Sequence, residues 1–241
     1  MKLCSHGLLI LTILLSTHFA TAPTATAGEL KIMSYNIWGL PYPIAKRMKR
    51  LKILKKSISK IDVDIIGFQE AFTKKALKVT NQASFPYKAF GPGSSFLRLS
   101  SGLVLLSKYP IIKTDMIQFK KCQGWDCRAN KGVLFSRVDL GDDNIDIYLT
   151  HLNAEGSDMG PRLTQVRQLI NFVQKNSTGN KVIFIGDFNF TEESILHTMM
   201  TNILALNDVH QQYVLDNPDL SIEDRNGYTN GRSTKRIDYI W

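Results

Sequence analysis

The sequence predicts a single α/β domain that follows a short N-terminal leader. From residue 28 onward, short β-like runs alternate with amphipathic helical stretches, and no linker or repeat interrupts them. A length of 241 residues is also ordinary for one such domain. With 44% hydrophobic and 21% charged residues, the composition excludes wholesale disorder.

The first 27 residues are typical of a secretory signal peptide. Lys2 precedes an apolar run at residues 8–15, and residues 25–27 read Ala-Thr-Ala, an A-x-A cleavage pattern. The run is far shorter than the roughly 20 residues needed to span a bilayer. We therefore expect a mature chain of residues 28–241 that is secreted or periplasmic. An uncleaved N-terminal anchor is the alternative.

Strands and helices follow from the spacing of apolar residues. Strands are predicted at residues 30–36, 63–69, 102–107, 132–139, 145–152, 181–187 and 236–241. Helices are predicted at residues 44–61 and 161–176, and a helical stretch at residues 192–202. Pro161 suits the first turn of the second helix, because its missing N–H has no partner there in any case. These elements form one domain of about 214 residues.

The charge of the chain indicates an anionic partner. Thirty Lys and Arg residues against 21 Asp and Glu residues give a net charge of +9, and removal of the leader, which holds one lysine and no acid, leaves +8. Nucleic acid, lipid headgroups and wall polymers all fit such a charge. Residues 46–60 carry eight of the basic residues. They form either a solvated helix face or a surface that steers an anionic membrane or nucleic acid.

The cysteines favour one disulfide. Three cysteines exclude a disulfide-framed mini-protein and a four-thiolate zinc module. Cys4 lies in the leader, so that the mature chain keeps Cys122 and Cys127. An even pair in an exported protein favours a disulfide that closes a small loop around residues 124–126, and free thiols or a metal site are the alternatives.

Polar side chains stand at the ends of five predicted strands, where a rigid sheet can hold them toward one cleft. In chain order these candidate site residues are Asn36, Glu70, His151, Asn153, Asp187, Asn189 and Asp238. Each one alone is better explained as part of a turn or as a solvated surface residue. Five strand ends with the same pattern indicate a site.

These residue types suit hard-cation chemistry on a phosphate. Glu70 can hold Mg²⁺, which needs only one or two protein carboxylates. The asparagines can position water or phosphate oxygens, His151 can donate a hydrogen bond to a charged transition state, and Asp187 can orient the attacking water or share in metal binding. A Gly-rich phosphate loop with Lys-Ser/Thr, a Gly-x-Ser-x-Gly elbow and a His-x3-His spacing are all absent from the sequence.

The strand-end motifs, taken together and in order, resemble the endonuclease/exonuclease/phosphatase superfamily, which has the deoxyribonuclease-I-like fold. The motifs are Ser34-Tyr35-Asn36, Phe68-Gln69-Glu70, Thr150-His151-Leu152, Gly186-Asp187-Phe188-Asn189 and Arg236-Ile237-Asp238-Tyr239. The resemblance implies an α/β (α+β) four-layer sandwich, in which two packed mixed β-sheets are flanked by helices. It also implies a Mg²⁺-dependent phosphodiester hydrolase.

The resemblance further implies a role for each residue. Glu70 would be the main metal ligand, with Asn36 beside it. Asn36, His151 and Asn153 would bind the phosphate, with His151 stabilising its charge. Asp187 and Asn189 would position the attacking water. Asp238 would orient the general-base histidine.

Within this superfamily, the sequence is most similar to neutral sphingomyelinases. The segments that carry this similarity are residues 36–42, 101–111, 131–132 and 150–155. In the first of them, Trp38, Pro41 and Tyr42 have two interpretations, a packed turn or a rim that meets lipid. A sphingomyelinase cleaves sphingomyelin to ceramide and phosphocholine at a membrane surface. We expect this activity of the present protein, and we expect the protein to be a monomer.

One family motif has no counterpart here. The family carries an Asp-His motif after the Ile-Asp-Tyr strand, whereas no histidine follows Asp238 in this sequence. We expect, from this resemblance, that the domain is C-terminally truncated and lacks its last strand or strands. The polypeptide as given would then be nearly inactive, because general-base catalysis contributes about 10²–10⁴-fold.

Two further functions compete with sphingomyelin hydrolysis. A secreted deoxyribonuclease-like endonuclease would use the same site, and the basic residues would bind backbone phosphates. A catalytically impaired module that binds lipid or nucleic acid is the third hypothesis, motivated by the missing histidine.

Overall fold

The computed structural model describes residues 29–41, 48–156, 159–230 and 234–241. The predicted signal peptide lies outside these residues, as do Tyr42 and the first residues of the predicted helix at 44–61. The described strands are β1 Ile32–Asn36, β2 Ile65–Gln69, β3 Tyr87–Phe90, β4 Val104–Ser107, β5 Ile111–Gln118, β6 Gly132–Asp139, β7 Asn144–His151, β8 Lys181–Asp187 and β9 Asp238–Ile240. The described α-helices are α1 Met48–Ile58, α2 Lys74–Leu77, α3 Gly160–Asn176, α4 Ile195–Leu204, α5 Val209–Asp216 and α6 Ile222–Asn226, and a 3₁₀ helix covers Gly124–Arg128.

The strands form two mixed sheets. The first has the order β1-β2-β4-β3, with β1 parallel to β2 and the other pairs antiparallel. The second has the order β5-β6-β7-β8-β9, with β7 parallel to β8 and the other pairs antiparallel. Helix α3 makes the crossover that a parallel β7–β8 pair requires. The predicted α/β architecture of two packed mixed sheets with helices outside is confirmed.

The two sheets pack face to face through an aliphatic core. Ile65 and Leu105 of the first sheet belong to one buried cluster with Leu149 and Ile185 of the second. The sheets approach closely at Gly67, where a Cβ atom would lie 2.4 Å from Cδ1 of Ile185 and 2.8 Å from Cδ1 of Leu149. A larger residue at this position would therefore displace these two core side chains.

The helices cover the outer faces of the sheets. On the second sheet, α3 buries Val166 and Leu169 in a cluster with Phe184. On the first sheet, α1 buries Leu51 and Ile58 in a second cluster. Each helix thus turns one apolar stripe inward, as its sequence period predicts. No helix in the described part of the chain is long and apolar enough to cross a membrane.

Two strands, β3 and β5, were not predicted, and each lies at the edge of its sheet. β3 has only four residues, which is too short for a period to show. β5 has the sequence Ile-Ile-Lys-Thr-Asp-Met-Ile-Gln, without a regular alternation, and none of its residues is fully buried, as expected for an edge strand. β9 is three residues long, shorter than the predicted strand at 236–241, and α1 ends at Ile58 rather than at residue 61.

The parallel pairs bring the candidate site residues to one edge of the two sheets. Asn36 lies opposite Gln69 across β1 and β2, so that Glu70 follows directly beside it. His151 lies opposite Asp187 across β7 and β8, and Asp187 lies opposite Asp238 across β8 and β9. Strand pairing therefore aligns residues that are far apart in the sequence.

Candidate active site

The centre of the site is a group of three side chains that joins the two sheets. The amide Nδ2 of Asn36 donates to Glu70 Oε1 over 2.8 Å and to Asp187 Oδ2 over 3.1 Å. The Oδ1 atom of Asn36 accepts a hydrogen bond from the backbone N–H of Trp38 over 2.9 Å. The nitrogen of Asn36, and not its oxygen, therefore faces the carboxylates and holds them together.

Glu70 stands in an uncommon backbone conformation. Its φ of 59° lies in the left-handed region, which a residue with a side chain occupies at some cost. The conformation is fixed from both sides, since the Glu70 carbonyl accepts from Gly39 N over 3.0 Å and the next residue, Ala71, donates to the carbonyl of Gly102 over 2.9 Å. The backbone turns here at the end of β2, which directs the carboxylate toward the second sheet.

Glu70 has a carboxylate oxygen that is suited to a cation. Its Oε2 atom is buried and has no hydrogen-bond partner among the described residues. Burial raises the pKa of Glu70, against the hydrogen bond from Asn36 and the charge of Lys131, which lower it. A buried carboxylate oxygen without a donor is costly, and a hard divalent cation would satisfy it. The donor set therefore fits Mg²⁺.

Two further acids lie beside Glu70. Asp187 is 6% exposed, and burial raises its pKa, against the hydrogen bond from Asn36. Burial and then the charge of Asp187 raise the pKa of Asp238 to about 7. These acids do not form a complete cage, since no group of three or more His, Cys, Asp and Glu residues in the described ranges has the geometry of a metal site. One or two carboxylates suffice for Mg²⁺, because it keeps several waters.

His151 contacts a buried lysine. Its Nε2 atom lies 3.1 Å from Lys131 Nζ and 3.8 Å from Asp187 Oδ2, and its Nδ1 atom is buried without a hydrogen-bond partner in the described part of the chain. Burial and the charge of Lys131 hold the pKa of His151 well below its ordinary value. His151 is therefore neutral at pH 7, and Nε2 accepts from the ammonium, which can only donate.

Lys131 and Asp126 were not assigned a role from the sequence. Lys131 is 4% exposed, and its Nζ donates to the Leu152 carbonyl over 2.8 Å and pairs with Asp126 Oδ1 over 2.7 Å. Asp126 Oδ2 accepts from the backbone N–H of Ala154 and Glu155. Lys131 lies just before a strand and Asp126 lies in the 3₁₀ helix, so the rule that polar residues at strand ends form the site could not identify them.

The two remaining asparagines differ in how much of the side chain is free. Asn189 has a φ of 51°, donates from its backbone N–H to Asp187 Oδ1 over 3.1 Å, and donates from Nδ2 to the Leu152 carbonyl over 3.1 Å. Asn153 is fully buried; its Oδ1 accepts from Gln123 N over 2.8 Å and its Nδ2 donates to the Glu155 carbonyl over 2.6 Å. Asn189 thus borders the acids, whereas Asn153 anchors the loop before the 3₁₀ helix.

The loop anchored by Asn153 is closed by a disulfide. Cys122 and Cys127 are bonded, with an S–S distance of 1.99 Å, and enclose most of the 3₁₀ helix. The backbone N–H of Trp125 donates to Glu155 Oε2 over 2.9 Å. This turn is therefore tied to the segment that follows β7.

The two other described histidines do not contact the acids of the site. His197 is 5% exposed and its Nε2 lies 3.0 Å from Asp208 Oδ2. His210 Nε2 lies 3.1 Å from the carbonyl of Asp224, although His210 and Asp238 line the same surface cavity of about 390 Å³. His197 is therefore a packing residue of the fold.

The sequence of the chain matches one protein family over most of its length. Residues 33–241 match the Endonuclease/Exonuclease/phosphatase family. The chain belongs to this family. The resemblance found in the strand-end motifs is thereby confirmed.

Several relatives within the family have names that concern phospholipids or sphingolipids. The chain is 30% identical over 179 residues to a sphingomyelinase of Mycobacterium tuberculosis, covering 69% of this chain and 35% of that protein. It is 28% identical over 243 residues to a phospholipase C of Staphylococcus aureus, covering 88% of this chain and 73% of that protein. The chain therefore spans about a third of the length of the mycobacterial relative.

A solved structure supports the same fold. A beta toxin double mutant from Staphylococcus aureus, crystallised with bound magnesium ions, superposes with a TM-score of 0.70 and 25% sequence identity. The match covers 88% of this chain and 83% of that chain.

Proposed function

We propose that residues 28–241 form the catalytic domain of an exported, Mg²⁺-dependent phosphodiesterase that hydrolyses sphingomyelin to ceramide and phosphocholine. The observation that carries this proposal is the buried Oε2 of Glu70, beside Asn36 and Asp187, which has no hydrogen-bond partner in the part of the chain that the structure describes. The choice of lipid rests on the sphingomyelinase and phospholipase C names of the relatives. In this proposal the protein acts as a secreted or periplasmic monomer.

Glu70 would hold Mg²⁺ through Oε2, while Asn36 fixes Glu70 against Asp187. When bound, the ion polarises a phosphoryl oxygen and offsets the charge that develops on the phosphate. Ligation by Asn36 itself would require its Oδ1, which accepts from Trp38 N. The role we assign to Asn36 is therefore to position the ligand carboxylate.

His151 and Lys131 would stabilise the charge on the phosphate from the opposite side. The Lys131 ammonium lies 3.1 Å from His151 Nε2 in a region from which water is largely excluded, since both residues are 4% exposed. A positive charge in such a region acts strongly, because little solvent screens it. Asn153 would contribute indirectly, by fixing the loop that carries Asp126.

Asp187 and Asn189 would position the attacking water. Asn189 donates its backbone N–H to Asp187 Oδ1, which orients the carboxylate. Asp238 lies opposite Asp187 in the strand register and would orient the proton-accepting group. Among the described histidines, His151 contacts Lys131, His197 contacts Asp208 and His210 contacts the carbonyl of Asp224, so that none is hydrogen-bonded to Asp238. We therefore assign no general base among the described residues.

The proposal is tested with two substrates. Purified protein is incubated with vesicles that contain radiolabelled sphingomyelin and, separately, with plasmid DNA, in Mg²⁺ and in chelator. We expect release of phosphocholine in Mg²⁺ and none in chelator.

Each other outcome rejects the proposal in favour of a named alternative. Nicking of DNA without release of phosphocholine would favour the endonuclease, for which the exposed basic residues of α1 would bind the phosphate backbone. Binding of vesicles or DNA without turnover of either would favour the catalytically impaired binding module.

A further inference from the structure

Two exposed apolar segments lie side by side on the surface next to the disulfide. Residues 95–98 form a tight hairpin, since Ser95 and Arg98 pair through both backbone hydrogen bonds. Its tip carries Phe96, which is 100% exposed, and Leu97, which is 83% exposed. The neighbouring 3₁₀ helix presents Trp125, which is 62% exposed. Exposed apolar side chains grouped within a polar surface mark interaction sites.

The two segments are held together by backbone hydrogen bonds. Leu99 N donates to the Arg128 carbonyl over 2.8 Å, and Asn130 N donates to the Leu99 carbonyl over 2.9 Å. The Asn130 side chain donates to the Gly93 carbonyl over 2.7 Å, at the start of the hairpin segment. With the disulfide at the base of the 3₁₀ helix, the apolar side chains are presented on an ordered frame. Little conformational entropy is then lost when they bind.

The charges around this surface are mostly positive. Lys120, Lys121 and Arg98 are exposed, and the Arg128 guanidinium lies 4.1 Å from the centre of the Trp125 ring. The acid within the 3₁₀ helix, Asp126, points inward and pairs with Lys131. An apolar tip with a cationic rim complements a membrane surface that contains anionic lipids.

The surface is also directly connected to the candidate active site. Trp125 precedes Asp126, which pairs with Lys131, which in turn contacts His151. A membrane bound at this surface would therefore lie beside the group that we assign to the phosphate of the substrate.

We propose that Phe96, Leu97 and Trp125 form one membrane-docking surface, which inserts at the headgroup level of a bilayer while Arg98, Arg128, Lys120 and Lys121 contact anionic lipids. This inference rests on the proposed function in that it takes the substrate to be a lipid in a membrane. The docking itself requires no turnover, so that it is measured independently of the reaction.

Docking is tested by sedimentation with vesicles in the presence of chelator. The vesicles contain phosphatidylcholine and sphingomyelin, with or without about one-fifth phosphatidylserine. The variants are the double substitution Phe96→Ser with Leu97→Ser and the single substitution Trp125→Ser. We expect each variant to lower the partition coefficient about 10-fold or more, because each removes apolar area that would enter the interface. The matched control, Ile222→Ser on α6, removes an apolar side chain that is 78% exposed and should bind as the parent does.

Intrinsic fluorescence gives a second measurement. Among the three tryptophans, Trp241 is buried and Trp125 is the most exposed of those in the described chain. Addition of the anionic vesicles should shift the emission to the blue, and the shift should be lost in Trp125→Phe. Hydrolysis of a water-soluble phosphodiester should remain unchanged in all of these variants, because none of them touches the acids of the site.

Three results would overturn the proposal. The parent protein could fail to bind any of the vesicles, the docking variants could bind as tightly as the control, or they could lose affinity for single-stranded DNA while retaining affinity for vesicles. The first two would leave the proposed hydrolysis to be decided by its own assay, and the third would identify a nucleic-acid surface.

Discussion

Two buried clusters of charged side chains include residues in or next to β9, and they differ in how their acids are paired. In the first, Asp208 meets Arg236 at 2.8 Å and His197 at 3.0 Å. The second cluster is the candidate active site, where Glu70, Asp187 and Asp238 lie together. There the side-chain amide of Asn36 donates to Glu70 and to Asp187. Arg236 and Asp238 are two residues apart, so that one short segment contributes to both clusters.

The pKa values of the acids report this difference. Burial alone would raise the pKa of Asp208, but the hydrogen bonds from His197 and Arg236 outweigh it and lower the pKa to about 2. In the candidate site burial prevails, and the pKa values of Glu70, Asp187 and Asp238 are raised. Acids that are fully paired serve the fold, whereas acids left without cations are available for a ligand.

The comparison predicts that removal of the Glu70 charge costs activity and not stability. Glu70→Gln keeps the volume and the acceptor for Asn36 but removes a charge that burial disfavours. We expect Mg²⁺-dependent hydrolysis to fall by about 10³-fold, or about 4 kcal/mol in transition-state free energy. In chelator, the free energy of unfolding should be unchanged or higher.

A readout other than activity separates metal binding from catalysis. Mg²⁺ should raise the Tm of the parent protein, since a ligand that binds the folded state stabilises it, and should leave the Tm of Glu70→Gln unchanged. Glu223→Gln, on the exposed surface of α6, is the matched control and should respond to Mg²⁺ as the parent does. A Glu70→Gln variant that keeps its activity and its response to Mg²⁺ would remove Glu70 from the metal role.

The opposite result is predicted for the paired cluster. Asp208→Asn should lower the free energy of unfolding by about 3 kcal/mol, because the buried Arg236 then keeps only the partly exposed Glu192 as its counter-charge. Asparagine can still cap α5, where the Asp208 side chain accepts from His210 N and Gln211 N, so the change isolates the charge. Chemical denaturation measures the effect, with the exposed Asp219→Asn as control. A loss no larger than that of the control would show that the pairing contributes nothing.

The sequence predicted the part of the site that parallel strands align. Asn36, Glu70, His151 and Asp187 each follow or end a strand, and strand register alone brings such positions to one edge. Asp238 was singled out within the predicted strand at 236–241, and the antiparallel pairing of β9 with β8 places it opposite Asp187. For these residues local pattern and tertiary structure agree.

The rest of the site depends on contacts that no local pattern encodes. Lys131 enters the site because its side chain turns toward β7, and Asp126 reaches it from a loop closed by the disulfide. Asn153 matched the pattern of a strand-end amide, yet both atoms of its amide bind backbone of neighbouring loops. The edge strand β3 was missed because four residues are too few to show a period, and β5 was missed because its residues are mostly exposed and its apolar pattern is irregular.

The smallest expected effect is a difference in how the two clusters respond to acid. The folded-state pKa of Asp208 is lowered to about 2 from an ordinary value of 3.8, so its contribution to stability is complete above pH 4 and is lost as the pH falls toward 2. At about 1.4 kcal/mol per unit, this loss is about 2 kcal/mol. Burial instead raises the pKa values of the acids of the candidate site, so that these acids bind protons at a higher pH than Asp208 does. Urea denaturation between pH 4.5 and 2, at steps of about half a unit, should therefore show a steeper fall for the parent and for Glu70→Gln than for Asp208→Asn. Parallel curves for the parent and Asp208→Asn would mean that the ion pairs of Asp208 do not stabilise the folded state, and the distinction between the two clusters would fail.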